Sequence, residues 1–154
     1  LIKVDNMEFN EIRKEATNKV LEIMRLINEG INLDILNDLD SIQYRIKSNG
    51  SIMGKMKKVG DNIYNVYDLI GIRYIFHNLK YYKKLKDYIV NNSNFEIVEI
   101  KNYLEDGHPE DPNYKALHIR MKYQKFPCEV EFMDVKMFEH VVRTHDDYKK
   151  GLLK

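Results

Sequence analysis

Apolar residues recur every three or four positions between Phe9 and Ile27. This spacing is typical of an amphipathic helix with one buried face. We therefore predict a long helix over about residues 6–30 that packs across a sheet. Residues 31–40 are rich in Asn and Asp and predict a connection with one further helical turn.

The rest of the chain changes between strand and helix patterns. Period-two alternation or short apolar runs predict strands over residues 42–47, 69–76, 95–104, 115–123 and 128–134. Helical spacing predicts helices over residues 51–60, 78–92 and 138–148, and residues 124–127 are predicted to form a turn. This order of elements predicts an α+β fold with a mixed, mainly antiparallel sheet covered by helices.

Positive side chains converge in one short stretch. Alternation in the first strand puts Arg45 and Lys47 on one face. The opposite face carries the apolar set Ile42, Tyr44 and Ile46. The following helix, which we predict to begin at Ser51, carries Ser51, Lys55 and Lys58 on one side. One strand and one helix thus bring four cations and a hydroxyl together, as a polyphosphate requires.

An acidic residue follows this basic stretch. Asp68 stands at the entrance of the apolar strand 69–76, where a carboxylate can hold the metal ion of a polyphosphate. Arg73 lies inside that apolar strand and needs a partner, because an unpaired buried charge is unfavourable. Either a structural carboxylate or a bound nucleotide would serve as this partner.

Composition limits the class of protein. The chain has 154 residues, of which 44% are hydrophobic and 32% charged, which fits one globular domain over residues 1–154 with a core over about 39–150. No apolar run is long enough to span a membrane, and no signal peptide is visible. The single cysteine, Cys128, excludes an intrachain disulfide, so we expect a cytoplasmic location. The net charge of +1 does not indicate a nucleic-acid-binding protein.

The segments RIKSNGSIMGKMKK and YDLIGIR resemble the synthetase domain of the RelA/SpoT family, especially its small single-domain alarmone synthetases. The resemblance covers about residues 39–149. It implies a nucleotidyltransferase-like fold and a Mg²⁺-dependent transfer of pyrophosphate from ATP to the ribose 3′-hydroxyl of GDP or GTP. A toxic branch of the family uses the 3′ end of tRNA as the acceptor.

The resemblance assigns roles to the donor half of the site. It implies that ATP is held by Arg45, Lys47, Ser51, Lys55, Lys58 and Arg73. Asp68 and Glu129 are the implied catalytic residues and metal ligands, since Glu129 matches the first residue of the family pattern Glu-x-Gln-x-Arg-Thr. The Arg and Thr positions of this pattern carry Met133 and Asp134 here. The Gln position carries Glu131, which either joins Glu129 on the ion or holds a base or ribose hydroxyl. A solvated strand edge is the structural alternative for both glutamates.

The acceptor half departs further from the family. The family signature Gly-Tyr-x-Ser-x-His corresponds to residues 113–118, where Tyr114 and His118 are kept. The resemblance implies that Tyr114 stacks on the acceptor's base, although stacking alone does not select guanine. The lysine that the family carries shortly before this tyrosine is not evident in residues 108–112. His145 corresponds to a late family histidine or is a packed core residue.

Three functions are compatible with the sequence. The first is synthesis of (p)ppGpp from ATP and a guanine nucleotide. The second is a toxin that pyrophosphorylates tRNA and is neutralised by an antitoxin. The third is a catalytically silent nucleotide- or RNA-binding relative. We also expect no membrane association, and assembly into homo-oligomers as in family relatives.

Overall fold

The computed structural model describes residues 6–60 and 62–149. Its helices are α1 (Asn6–Asn28), α2 (Leu33–Asp38), α3 (Asn49–Val59), α4 (Tyr82–Val90) and α5 (Val135–Lys149), with a short 3-10 turn at Ile63–Asn65. Its strands are β1 (Leu39–Ile46), β2 (Ile70–Phe76), β3 (Glu96–Asn102), β4 (Leu117–Tyr123) and β5 (Phe126–Asp134). The further helical turn predicted within residues 31–40 is thus α2.

The strands form one sheet in the order β1-β2-β5-β4-β3. Strands β2 and β5 are parallel, and the other neighbouring pairs are antiparallel. Helix α4 connects β2 to the distant edge strand β3. The predicted α+β fold with a mixed, mainly antiparallel sheet is confirmed.

One face of the sheet forms the core with α1 and α4. The rings of Tyr74, Phe76 and Phe132 meet edge to face at 5.5–5.7 Å. The predicted apolar stripe of α1 is buried there, and the Tyr74 hydroxyl donates to Asn28 at 2.8 Å. Burial of these large side chains is the main stabilising contribution to the fold.

The opposite face of the sheet is polar and carries the charged side chains of β1, β2, β4 and β5. Helix α5 packs against β2 and β5, and the guanidinium of Arg73 lies over the ring of Phe138 at 5.6 Å. Cavities on this face are lined by residues of β1, β2, β4 and β5 and by Lys55 of α3. The candidate site lies there.

Helix α1 holds the junction between β1 and α3. Arg13 Nε donates to the carbonyl of Lys47 at 3.0 Å, and Asn49 donates to Asn10 at 3.0 Å. The prediction that α3 begins at Ser51 was wrong by two residues, because the side chain of Ser48 caps the helix and accepts from the backbone N–H of Ser51.

The start of one helix and the exposure of one tyrosine also differ from the prediction. Helix α4 begins at Tyr82 rather than at residue 78, because the buried carboxylate of Asp38 accepts from the backbone N–H groups of Asn78 and Lys80, at 2.9 Å each. This contact fixes a turn in which Leu79 has φ +55°. Tyr44 was predicted to lie in the apolar set of β1, but the residue is 47% exposed because β1 is an edge strand.

The hairpin between β4 and β5 is tighter than predicted. Gln124 and Lys125 have φ values of +46° and +70°, as in a two-residue type I′ turn. Strand β5 therefore begins at Phe126, and Pro127 lies within the strand. Within the described residues, we find no helix with the length and apolar character needed to cross a bilayer.

Candidate active site

The strand register brings distant residues into two rows across the polar face. The first row runs from Arg45 through Gly71, Glu129 and Arg120 to Glu99. Neighbours in a row are on adjacent strands and point to the same side of the sheet. Charges that are far apart in the sequence are therefore direct neighbours.

The second row lies one strand period away. It runs from Gln43 through Arg73, Glu131 and His118 to Lys101. Arg73 donates to Glu131 Oε1 at 3.2 Å from both Nε and Nη2. The structure thus gives Arg73 a carboxylate partner, and this partner lines the candidate site.

Asp68 is joined to the basic stretch by an ion pair. Lys47 Nζ donates to Asp68 Oδ2 at 2.7 Å. Burial pushes the pKa of Asp68 upward, but the hydrogen bond from Lys47 and the charges of Lys47 and Lys55 outweigh it and lower the pKa. Asp68 is therefore ionised at neutral pH.

Asp68 and Glu129 line the same two cavities. The first cavity also contains Arg45 and Arg73, and the side chain of Arg45 lies over Gly71. Gly71 has no side chain, so it leaves open the space between Arg45 and the two acidic residues. Cations and carboxylates thus surround one volume, as a polyphosphate with a metal ion requires.

The second cavity contains Lys55 from α3 and Arg120 from β4. Arg120 Nε donates to Glu129 Oε2 at 3.1 Å, and its guanidinium lies 5.9 Å from the centre of the Tyr67 ring. Arg120 therefore brings a cation to Glu129 from the side opposite Arg45.

Glu129 is the most confined acid of the site. Burial raises its pKa and the neighbouring Glu131 raises it further, whereas the proximity of His118 and the hydrogen bond from Arg120 oppose the rise. Ligand atoms of His118, Glu129 and Glu131 lie within 4.8 Å of one another. Two carboxylates in such proximity favour a cation between them.

A divalent ion fits this arrangement. Asp68 and Glu129 offer oxygen atoms to the same cavities, and oxygen ligands suit Mg²⁺. A bound cation would reduce the electrostatic repulsion between the carboxylates of Glu129 and Glu131. Lys47 occupies one oxygen of Asp68 and leaves the other available.

A chain of contacts leads from Glu129 through His118 to Tyr114. His118 Nδ1 lies 3.7 Å from Glu129 Oε1, and His118 Nε2 lies 2.6 Å from the Tyr114 hydroxyl. Burial lowers the pKa of His118 and raises that of Tyr114. A neutral imidazole with its proton on Nδ1 faces the carboxylate and accepts the Tyr114 proton on Nε2.

The third cavity has an aromatic wall. The ring of Tyr103 lies 4.7 Å from His108 and 5.9 Å from Tyr114, measured between centroids. The cavity has a volume of about 390 Å³ and includes Glu129 and Asp111. Glu129 also lines the first two cavities, so the aromatic side chains and this carboxylate are part of one continuous surface.

The predicted site residues are not all in these cavities. Ser51 and Lys58 are exposed on α3 and lie outside the three cavities, and the Ser51 hydroxyl is bonded to Ser48 at 3.0 Å. The side chain of His145 lies outside the described residues. The remaining predicted residues line the three cavities, with the exception of Lys47. Lys47 is bonded to Asp68, which lines two of them.

Some site residues received no role from the sequence. They line the second and third cavities and are Arg120, Tyr67, Tyr103 and His108. The polar face of β4 indicated Arg120, since it alternates with His118. The two tyrosines carried no usable signal, because their position depends on how the strands pair.

One protein family matches most of the chain. Residues 44–152 match the family model described as a region found in RelA/SpoT proteins. No curated protein sequence matches the chain.

Several solved structures share the fold. Small alarmone synthetase 1 from Bacillus subtilis, bound to its product pppGpp, has a TM-score of 0.80 at 15% identity and aligns over 97% of this chain and 85% of its own. For a GTP pyrophosphokinase family protein from Streptococcus pneumoniae the TM-score is 0.73 at 17% identity, with 99% and 82% covered. For small alarmone synthetase 2 from Bacillus subtilis it is 0.69 at 19% identity, with 93% and 80% covered. The predicted resemblance is confirmed, and because the family match spans well over half of the chain, the protein belongs to the RelA/SpoT family.

Proposed function

We propose that the protein is an ATP-dependent pyrophosphokinase that modifies the 3′-hydroxyl of GDP or GTP and makes (p)ppGpp. The observation that carries this proposal is the shared position of Asp68 and Glu129, which line the same two cavities with Arg45, Arg73 and Lys55. The solved structure of small alarmone synthetase 1 with pppGpp supports the choice of acceptor.

The basic residues hold the donor. Arg45 and Arg73 offer planar guanidinium groups that grip phosphate oxygens in pairs, and Lys47 and Lys55 act as point charges. Arg73 and Lys47 are held by carboxylates in the free protein, so they are already positioned for the polyphosphate. Ser51 and Lys58, which the family resemblance assigns to ATP, are exposed on α3 and lie outside these cavities.

The acidic residues act on the acceptor and the ion. Asp68 and Glu129 would hold Mg²⁺, which neutralises phosphate charge when bound. Glu129 accepts the proton of the acceptor's 3′-hydroxyl, and its raised pKa suits this role. The 3′-oxygen forms a bond to the β-phosphorus of ATP, the bond from that phosphorus to the α,β-bridging oxygen breaks, and AMP leaves.

The acceptor's base packs against Tyr114, whose ring borders the third cavity. His118 positions Tyr114 through the 2.6 Å hydrogen bond, and Glu131 holds Arg73 near the reacting groups. Partnership with an antitoxin and assembly into homo-oligomers remain predictions from the family resemblance.

Incubation with γ-labelled ATP and either GDP or deacylated tRNA tests the proposal. We expect the label on a guanosine 3′-diphosphate, with release of AMP. Label on RNA alone would reject the guanine-nucleotide acceptor and favour the toxin. Equal trace AMP from the wild type and from Asp68→Asn would reject catalysis altogether.

A further inference from the structure

The loop that enters the third cavity has an unusual composition for an acceptor site. Residues 105–111 read Glu-Asp-Gly-His-Pro-Glu-Asp and contain no lysine or arginine. Two of these side chains, His108 and Asp111, line the cavity next to Tyr103 and Tyr114. The loop thus contributes one imidazole and one carboxylate to a cavity that is also lined by Lys101, His118, Arg120 and Glu129.

Hydrogen bonds within the loop fix the tautomer of His108. Its Nδ1 accepts from the backbone N–H groups of Glu110 and Asp111, at 3.0 and 3.2 Å. A ring nitrogen that accepts two hydrogen bonds carries no proton, so a neutral His108 has its proton on Nε2. His108 therefore offers a hydrogen-bond donor at its free edge.

Asp111 offers a hydrogen-bond acceptor to the same cavity. Its Oδ1 accepts from the backbone N–H of Asn113 at 3.0 Å, and its backbone carbonyl accepts from Tyr114 at 3.1 Å. These bonds fix the carboxylate beside the aromatic wall. A carboxylate has lone pairs for several donors, so Asp111 is still able to accept from a ligand.

We propose that His108 and Asp111 read the Watson–Crick edge of the acceptor's base and select guanine. Guanine presents an acceptor, O6, beside two donors, N1–H and the N2 amino group. The Nε2–H of His108 complements O6, and the carboxylate of Asp111 accepts from N1–H and the N2 amino group as a charge-assisted pair.

The same groups reject adenine. Adenine presents an amino donor where guanine has O6, and an acceptor where guanine has N1–H, so both contacts become repulsive. Inosine keeps O6 and N1–H but lacks the N2 amino group, so it loses part of the contact with Asp111. The base contacts thus supply the selection that stacking on Tyr114 alone does not.

This inference rests on the proposed function for its acceptor site, but binding tests it without turnover. Isothermal titration would measure the affinity of GDP, IDP and ADP while the donor site is saturated with a non-hydrolysable ATP analogue. We expect GDP to bind about 10- to 100-fold more tightly than ADP, and several-fold more tightly than IDP, as the loss of charge-assisted hydrogen bonds predicts.

Asp111→Asn is the decisive variant, because asparagine keeps the bond to the N–H of Asn113 while the negative charge is removed. We expect it to bring the affinities of GDP and IDP to within about twofold, since the N2 amino group then loses its ionic partner. Glu110→Gln is the matched control: it changes the neighbouring exposed acid, which does not line the cavity, and keeps the wild-type ratios.

Equal affinity of the wild type for GDP and IDP, tighter binding of ADP, or an unchanged GDP preference in Asp111→Asn would overturn the inference. Absence of GDP binding would overturn it as well. A wild type that prefers GDP but releases no AMP would leave the base selection standing and reject the pyrophosphokinase proposal.

Discussion

Lys47 Nζ and Asp68 Oδ2 lie 2.7 Å apart, and their side chains are 11% and 23% exposed. The two residues come from different elements, since Lys47 follows β1 and Asp68 precedes β2. Under the proposed function, Lys47 would bind phosphate and Asp68 would bind the metal ion, so their ion pair holds both groups in place in the free protein.

Asp68→Asn is expected to reduce AMP release by at least about a hundredfold, because the site loses a preorganised charge. It is also expected to lower the free energy of unfolding by about 2–4 kcal/mol, since Lys47 is left mostly buried without its anion. Chromatographic assay of AMP and chemical denaturation measure the two effects.

Asp40→Asn is the matched control, since Asp40 lies on β1 and is half-exposed. Activity and stability near wild-type values are expected for it. Full activity in Asp68→Asn would remove Asp68 from the mechanism.

Glu129 is expected to control the acid limb of the pH–rate profile. Burial and the neighbouring Glu131 raise its pKa above the ordinary value of 4.5, so the ionised base is lost at a higher pH than for an exposed glutamate. The value of kcat/KM should therefore fall, as the pH is lowered, with a midpoint above 4.5.

Arg120→Met tests the cause of this titration. Arg120 holds the pKa of Glu129 down through its hydrogen bond, so its removal should move the acid limb to higher pH. Circular dichroism over the same pH range checks that the protein stays folded. A limb that moves to lower pH would contradict the proposed role of Glu129.

The donor half of the site was predictable from the sequence because its signals are local. Alternation in β1 and helical spacing in α3 placed Arg45, Lys47 and Lys55 on the side where the cavities lie. The same helical spacing also grouped Ser51 and Lys58 with Lys55, but these two residues lie outside the cavities. The acceptor half depends on the register of β3, β4 and β5, which no local pattern specifies. Tyr103 thus meets Tyr114 without any sequence signal.

The wrong start of α4 results from a long-range contact, and the wrong length of the β4–β5 turn results from an unusual turn sequence. The start of α4 is set by Asp38, which lies about forty positions earlier and occupies the backbone donors of residues 78 and 80. The β4–β5 turn uses Gln124 and Lys125 at positive φ, where Asn and Gly are the usual residues. The pattern of residues 124–127 therefore predicted a longer turn.

Asp38→Ala tests this long-range contact. Two backbone N–H groups would lose their acceptor, and the left-handed Leu79 would lose its support. We expect a loss of about 2–4 kcal/mol in the free energy of unfolding. Asp34→Ala on the exposed side of α2 serves as the control and should cost about 1 kcal/mol or less, since Asp34 lies in the first turn of that helix. Equal stability of the two variants would show that the contact is dispensable.

The identity of the leaving nucleotide tests the central claim most directly. Mass spectrometry of a reaction with ATP and GDP should show AMP and guanosine 5′-diphosphate 3′-diphosphate in equal amounts, because a pyrophosphate group moves as a unit. Formation of ADP, or of GTP from GDP, would show transfer of a single phosphate and contradict the account.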